Sequence, residues 1–316
     1  MRRAKTRSIS EGFQKALKCG ALSPILAEIR EPKARGYKEL DETLCLDIRH
    51  QEITLYYRGA ALVSLCQKAP GTFVTRSHDK YQRFLPNGLL GSVQSIADCK
   101  ALVEQIPLLK AGIDAKLART PSREREIQQE IIRCNNRGKS GRSSDIYFCD
   151  QEYAVGRMRA DLVGVLWPSD GARRRHSNHR LVWAELKQGD GAMGGKAGLQ
   201  KHLNDLDALL GDPQKLTHIK DEMGEIFRVK QELGLINCGK APRKGQALFS
   251  SAKPLVLLIL VDHDPAKTKL GKELQGASMQ HGDVVIPRAS TMGYSLFANE
   301  LLSVSELLDL DKAWRG

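Results

Sequence analysis

The spacing of hydrophobic and polar positions changes several times along the chain. Between residues 43 and 81, short apolar stretches alternate with polar or glycine turns, a pattern typical of antiparallel strands. Residues 94–118 have the spacing of a helix, which we expect Pro107 to interrupt. The pattern therefore predicts a small antiparallel β-meander followed by a helix.

The middle of the chain predicts one helix, three strands, two helices and a further strand. The helix lies in TPSREREIQQEIIRC, whose apolar residues share one face. Strand-like stretches follow at residues 145–155, 158–167 and 180–187. The next two helices begin near Gly198 and span about 214–233, and KPLVLLILVDHD then predicts a strand that is buried on both faces. This order indicates an α/β sandwich with a mixed sheet.

The two ends of the chain have weaker patterns. Residues 1–38 mix basic residues, prolines and a short helical pattern, and we interpret them as a basic leader or arm. Residues 283–297 predict short strands, and residues 298–310 predict a final helix. The predicted organisation is a leader over 1–38, an accessory β-meander over 39–98 and an α/β domain over 99–316.

The charge balance indicates what kind of partner to expect. The chain has 316 residues with 49 lysines and arginines against 37 aspartates and glutamates, which gives a formal net charge of +12. Such a surplus favours a polyanionic partner, most often nucleic acid and less often an acidic membrane surface. An unfocused, solvated basic surface would have the same composition.

Cysteine usage and the absence of a long apolar run indicate the compartment. The seven cysteines are far apart and include no C-x-x-C, which is typical of reduced thiols in the cytosol. MRRAKTRSIS lacks the apolar stretch of a signal peptide, and the longest apolar run, residues 254–261, is too short to span a bilayer. We therefore expect a cytoplasmic protein with no membrane partner.

The stretch RLVWAELKQ places two ionisable residues in a strand that is otherwise apolar. Glu185 and Lys187 are two positions apart, so they point to the same face of the strand. Burying both groups is costly unless they pair, bind a metal or take part in chemistry. The same D/E-x-K spacing occurs at residues 31–33 and 114–116, but there it lies in the leader and in a helical pattern.

An aspartate on the preceding strand completes a catalytic hypothesis. Asp161 lies among apolar residues in MRADLVGVLW, so it could share a sheet edge with Glu185. Mg²⁺ commonly takes one or two carboxylates together with water and substrate phosphate. Lys187 could orient or deprotonate the attacking water, or stabilise charge on the phosphate. The structural alternative is a surface strand with a Glu–Lys ladder and an aspartate near a turn.

Asp161, Glu185 and Lys187, in this order and strand context, resemble the PD-(D/E)XK nuclease superfamily. By element order the resemblance covers roughly residues 122–262, although Ala160 stands where the motif name has proline. It implies a restriction-endonuclease-like sandwich with a central mixed sheet. It also implies a Mg²⁺-dependent nuclease in which Mn²⁺ can substitute, and relatives often act as homodimers.

The resemblance further implies a glutamate on the first helix as a metal ligand. Glu130 is our candidate, with Glu124 and Glu126 as competitors, and Glu152 could also ligate from the first strand. Residues expected near the substrate are Gln200, at a position where some branches carry a functional glutamine, Lys196, His202, and the loop arginines Arg173, Arg174 and Arg175. These arginines would hold the nucleic-acid backbone, or they belong to a solvated loop.

Three hypotheses about function follow. The first is a metal-dependent deoxyribonuclease, with DNA favoured over RNA, acting in phage defence, restriction or repair. The second is a non-catalytic nucleic-acid-binding protein on a nuclease-like fold. The third is a hydrolase of small phosphoesters that uses Asp262 and Asp264, which follow the most apolar strand.

Overall fold

The computed structural model divides into two units by the contacts within the chain. Unit 1 contains residues 1–133 and 225–237, and unit 2 contains residues 134–224 and 238–316. The predicted boundary between residues 98 and 99 falls inside unit 1. The structure describes residues 6–30, 44–85, 87–136, 144–156, 158–169, 178–189, 193–194, 198–236, 248–261, 270–287 and 294–315.

Unit 1 contains a five-stranded antiparallel sheet. Its strands are β1 (Leu44–Arg49), β2 (Glu52–Tyr57), β3 (Ala60–Ala69), β4 (Thr72–Arg76) and β5 (Ser92–Val93). They are hydrogen-bonded in chain order, which confirms the predicted antiparallel meander. The β2–β3 turn has positive φ at both Arg58 and Gly59, as a type I′ hairpin turn requires.

Within the described ranges of unit 1, five helices begin. They are α1 (Glu11–Cys19), α2 (Ser23–Arg30), α3 (Asp79–Gln82), α4 (Ile96–Arg119) and α5 (Arg123–Asn136). Helix α1 begins after Ser10, whose hydroxyl oxygen accepts a hydrogen bond from the Phe13 N–H. Phe13 is fully buried, and its ring centroid lies 4.8 Å from that of Phe73. Residues 11–30, which the sequence predicted as part of a leader, therefore contribute to the core of unit 1.

Helix α4 corrects the prediction of a break at Pro107. The helix runs without interruption through this residue. A proline inside a helix removes one hydrogen bond and strains the preceding turn. Ile106, Leu109 and Ile113 on either side of it are buried, so packing of this apolar face holds the helix together.

Unit 2 contains a six-stranded mixed sheet. Its strands are β6 (Ile146–Val155), β7 (Met158–Leu166), β8 (Arg180–Gln188), β9 (Leu255–Val261), β10 (Asp283–Pro287) and β11 (Leu301–Ser303). The spatial order is β11-β10-β9-β8-β7-β6. Strands β6, β7 and β8 are antiparallel, β9 is parallel to β8, β10 is parallel to β9, and β11 is antiparallel to β10. The α/β class and the mixed sheet are confirmed.

The helices of unit 2 follow the predicted order in the middle of the chain and differ at its end. They are α6 (Leu199–Leu210), α7 (Pro213–Glu232), α8 (Leu270–Leu274) and α9 (Val304–Arg315), and the part of α7 after Gly224 belongs to unit 1. The final helix was predicted from residue 298, but it begins at Val304. The reason is that Leu301–Ser303 pairs with β10 as an edge strand.

Strands β8 and β9 lie at the centre of this sheet. Val182, Trp183 and Ala184 are fully inaccessible to solvent, as are Val256, Leu257 and Leu258 on β9. This burial on both faces agrees with their continuous apolar sequences. In the part of the chain that the structure describes, no helix has both the length and the apolar character needed to cross a membrane.

Candidate active site

Strand β8 carries two ionisable side chains in the buried centre of unit 2. Glu185 is 2% exposed and Lys187 is 7% exposed. Because they are two positions apart on a strand, both point to one face, and Lys187 Nζ lies 3.9 Å from Glu185 Oε2. The structure therefore brings together two of the three residues on which the nuclease hypothesis depends.

Asp161 lies beside this pair at the end of the β7–β8 ladder. The last paired residues are Leu162 and Ala184, and continuing the antiparallel register by one residue sets Asp161 opposite Glu185. Asp161 Oδ2 accepts a hydrogen bond from the Leu186 N–H at 2.7 Å. The Asp161 carboxylate thus accepts a backbone N–H of β8 just beyond the last paired residues. The carboxylates of Asp161 and Glu185 therefore lie on neighbouring strands.

The two oxygens of Glu185 have different surroundings. Oε1 accepts a hydrogen bond from Trp183 Nε1 at 3.0 Å. Oε2 has no hydrogen-bond partner among the described residues, although two nitrogens lie nearby: His202 Nδ1 at 3.6 Å and Lys187 Nζ at 3.9 Å. One oxygen is therefore fixed by the fold, and the other remains available to a ligand.

His202 approaches Glu185 from the first turn of α6. Its backbone N–H donates to the Gly198 carbonyl, and the buried Leu199 and Leu203 fix the helix on unit 2. The imidazole is about one-third exposed, but Nδ1 is buried and lacks a hydrogen-bond partner within the described residues. The N-terminal end of a helix favours negative charge, so this place suits a carboxylate or a phosphate.

A buried polar chain lies behind the site and was missed by sequence reasoning. The ring of Tyr153 meets that of Trp183 edge to face, with centroids 6.1 Å apart. The Tyr153 hydroxyl donates to Glu222 Oε2 at 2.7 Å, and Glu222 Oε1 lies 3.7 Å from His218 Nε2. These contacts hold Trp183, which in turn orients Glu185. The available signal was the i, i+4 spacing of His218 and Glu222 on a helix.

Three of the four glutamates considered as further ligands form ion pairs with arginines. Glu130 lies in unit 1, is 40% exposed and forms an ion pair with Arg133 on the same helix. Glu126 is paired with Arg58. Glu152 Oε2 lies 2.9 Å from the guanidinium of Arg159. Glu124 is exposed on the first turn of α5.

The residues predicted to contact substrate are only partly described. Gln200 is exposed, and its side-chain amide donates a hydrogen bond to Asn204 Oδ1 at 3.2 Å, not to Glu185. Lys196, Arg173, Arg174, Arg175, Asp262 and Asp264 lie outside the described residues. His202 is thus the substrate-contact candidate that the structure places beside Glu185.

The donor set fits a cation bound largely by solvent and substrate. Within the described ranges, no group of three or more His, Cys, Asp or Glu side chains is arranged to hold a metal ion. Mg²⁺ needs fewer protein ligands, since it keeps several waters and often takes one or two carboxylates. Asp161 and Glu185 supply that smaller set, and Glu185 Oε2 has no hydrogen bond to lose.

Comparisons with known proteins do not add a relative. No protein-family model, curated protein or solved structure matches this chain. The resemblance to PD-(D/E)XK nucleases therefore depends on Asp161, Glu185 and Lys187 and on the order of the surrounding elements.

Proposed function

We propose that the protein is a divalent-metal-dependent nuclease that hydrolyses phosphodiester bonds of DNA, on a restriction-endonuclease-like fold. The observation that carries the proposal is the state of Glu185, a buried carboxylate with one oxygen free of hydrogen bonds. It lies beside the buried ammonium of Lys187 and on the strand next to Asp161. Buried ionisable groups with incomplete pairing are typical of functional sites.

The side chains have separate tasks in this proposal. Asp161 and Glu185 would hold the cation, Mg²⁺ or Mn²⁺, and Trp183 fixes the orientation of Glu185. The bound cation would stabilise negative charge on the phosphate and make its bound water more acidic. Lys187, with three donors on a point charge, orients the attacking water or donates to a phosphate oxygen. The reaction adds water across a P–O ester bond, giving a phosphate monoester and a hydroxyl group.

Charge and cysteine chemistry support the choice of substrate and compartment. The net charge of +12 favours a polyanion, and most of the basic surplus belongs to unit 1. The six described cysteines are free thiols, as expected in a reducing compartment. We therefore propose cytoplasmic DNA as the substrate.

The test is cleavage of supercoiled plasmid and single-stranded oligonucleotides in Mg²⁺, Mn²⁺ or EDTA. We expect metal-dependent cutting that falls at least about a hundredfold in Glu185→Gln and in Lys187→Met. Asp205→Asn is the control, because Asp205 is an exposed carboxylate of the same unit whose ion pair is with Lys201. Equal cutting by wild type and both site variants would overturn the proposal.

A second candidate function is nucleic-acid binding without catalysis. It is favoured by the lack of a three-donor group among the described residues and by the use of Asp161 in the β7–β8 ladder. In that case oligonucleotides would bind in EDTA, and no cation would produce cutting.

A further inference from the structure

His202 presents a buried ring nitrogen to the Glu185 oxygen that accepts no hydrogen bond. The imidazole as a whole is about one-third exposed, but its Nδ1 atom is buried and has no hydrogen-bond partner within the described ranges. Glu185 Oε2, 3.6 Å away on a side chain that is 3% exposed, likewise accepts no hydrogen bond from the described residues. Leaving buried polar atoms without partners costs free energy, so two such atoms facing each other indicate a ligand between them.

The distance between these two atoms suits a shared metal ion better than a direct contact. At 3.6 Å, Nδ1 and Oε2 are too far apart for a hydrogen bond. Two ligand atoms that each lie about 2.1 Å from one ion are separated by about 3.0 Å at a right angle and by about 3.4 Å at a tetrahedral angle. The separation of the two atoms in the structure is therefore close to that of two ligands of one cation.

A second histidine–carboxylate contact of unit 2 is arranged differently. His281 Nδ1 lies 3.4 Å from Asp207 Oδ1, but this oxygen already accepts a hydrogen bond from the His281 backbone N–H at 2.7 Å. The His281 side chain is 46% exposed, so water can reach it. Closeness of a histidine to a carboxylate is thus not what distinguishes His202. The distinguishing feature is that neither of its two facing atoms has a hydrogen bond with the described residues.

The charges around these atoms leave room for a cation. The ammonium of Lys187 and the N-terminal end of α6 disfavour a positive ion here, whereas the carboxylates of Glu185 and Asp161 favour one. Histidine binds metals as the neutral imidazole, so it adds a ligand atom without adding repulsion. Since the described chain contains no group of three or more metal-binding side chains, water and substrate phosphate would complete the coordination.

We propose that His202 Nδ1 and Glu185 Oε2 bind the same divalent cation, which makes the site selective for ions that accept nitrogen ligands. Imidazole suits transition-metal ions, whereas Mg²⁺ prefers oxygen ligands. The inference rests on the proposed function only in placing a cation at Glu185. It narrows the class of that cation, and it makes His202 a metal ligand where the sequence suggested a contact with substrate.

The experiment is calorimetric titration of the full chain with Co²⁺, Mn²⁺ and Mg²⁺. We expect His202→Ala to weaken binding of Co²⁺ at least about tenfold, because even changes outside the direct ligands cost that much in metal affinity. Its affinity for Mg²⁺ should change less than about twofold, since carboxylates and water are sufficient for this ion. The matched control is His281→Ala, which removes the more exposed histidine of unit 2 and should bind all three ions like the wild type.

A second measurement does not require the His202 variant to fold. Co²⁺ is paramagnetic, so when it is bound to the wild type it should shift the proton resonances of one imidazole far more than those of the other histidines. Glu185→Gln should abolish this shift, because the ion loses its buried carboxylate. In His281→Ala the shifted resonances should remain.

The outcomes separate this proposal from the nuclease proposal. It is overturned if His202→Ala binds Co²⁺ as tightly as the wild type does, or if the wild type binds none of the three ions. Metal-dependent cutting of DNA combined with unchanged Co²⁺ binding by His202→Ala would keep the nuclease and remove His202 from its metal site. Co²⁺ bound through His202, with DNA left intact under every cation, would keep the metal site and remove the nuclease.

Discussion

Two buried lysine–carboxylate pairs, one in each unit, have the same chemistry and different geometry. In unit 1, Lys230 Nζ on α7 donates to Asp47 Oδ1 on β1 at 3.0 Å. In unit 2, Lys187 Nζ lies 3.9 Å from Glu185 Oε2 on the same strand, beyond hydrogen-bonding distance. All four side chains are less than a tenth exposed.

The difference separates a structural pair from a candidate catalytic one. Removing two charges from water is costly, and their attraction offsets that cost only where the geometry is good and hydrogen bonds form. Lys230 Nζ and Asp47 Oδ1 form such a hydrogen bond, and it ties a helix to a strand distant in sequence. Glu185 and Lys187 form no hydrogen bond with each other, and Glu185 Oε2 accepts none from the described residues. This is why we propose a functional role for the Glu185 carboxylate.

Asp47→Ala should have the largest effect on stability. It leaves Lys230 buried without its carboxylate partner, which costs about 3–5 kcal/mol of unfolding free energy. Urea unfolding followed by far-ultraviolet circular dichroism measures this loss. Asp309→Ala is the control, because Asp309 pairs with Lys312 at 3.3 Å but is 73% exposed, and it should cost at most about 1 kcal/mol. Equal losses in the two variants would remove the distinction between the pairs.

Glu185→Gln should change stability much less, by about 1 kcal/mol, when measured without metal. The amide oxygen can still accept from Trp183 Nε1, and no hydrogen bond to Lys187 is lost. Mg²⁺ or Mn²⁺ at about a hundred times its Kd should stabilise the wild type by about 2.7 kcal/mol and leave the variant unchanged. A loss as large as that of Asp47→Ala, with no effect of metal, would make Glu185 a structural residue.

Much of unit 2 could be predicted because the sequences of its central strands favour a strand by themselves. The apolar runs around Trp183 and Leu257 carry a strand signal that needs no tertiary information, and two-residue alternation alone places Glu185 and Lys187 on one face. Trp183 and Glu185 share that face as well. The hydrogen bond between Trp183 and Glu185 could therefore be predicted from the sequence, provided that both side chains adopt suitable rotamers.

The remaining features of the fold and of the site depend on contacts between residues that are far apart in sequence. Whether Asp161 reaches Glu185 is decided by the register of β6, β7 and β8, and β6 has a bulge between Phe148 and Asp150. Leu301–Ser303 forms a strand because it pairs with β10. The helical pattern of this segment therefore predicted a helix that begins too early in the chain. Contacts between elements also explain why α4 continues through Pro107, where local propensity predicted a break.

The smallest predicted effect concerns pH and tests a second hydrogen-bonded polar contact of unit 1. The Tyr57 hydroxyl donates to Asp114 Oδ2 at 3.1 Å. Burial, followed by the negative charge and hydrogen bond of Asp114, raises the pKa of Tyr57 from 10.0 to about 12. The folded state therefore favours the protonated phenol. Its contribution to stability is complete below about pH 10 and is lost as the pH rises towards 12.

Tyrosinate absorbance in the near ultraviolet measures this titration directly. The difference between wild type and Tyr57→Phe should show one tyrosine with a midpoint near pH 12. The same difference for Tyr56→Phe provides the comparison, because the Tyr56 hydroxyl accepts a hydrogen bond from the Arg49 guanidinium. A Tyr57 midpoint near the ordinary value of 10 would mean that the bond to Asp114 is not maintained in solution. Tyr57 and Asp114 would then, like Glu185 and Lys187, lie close together without a direct hydrogen bond.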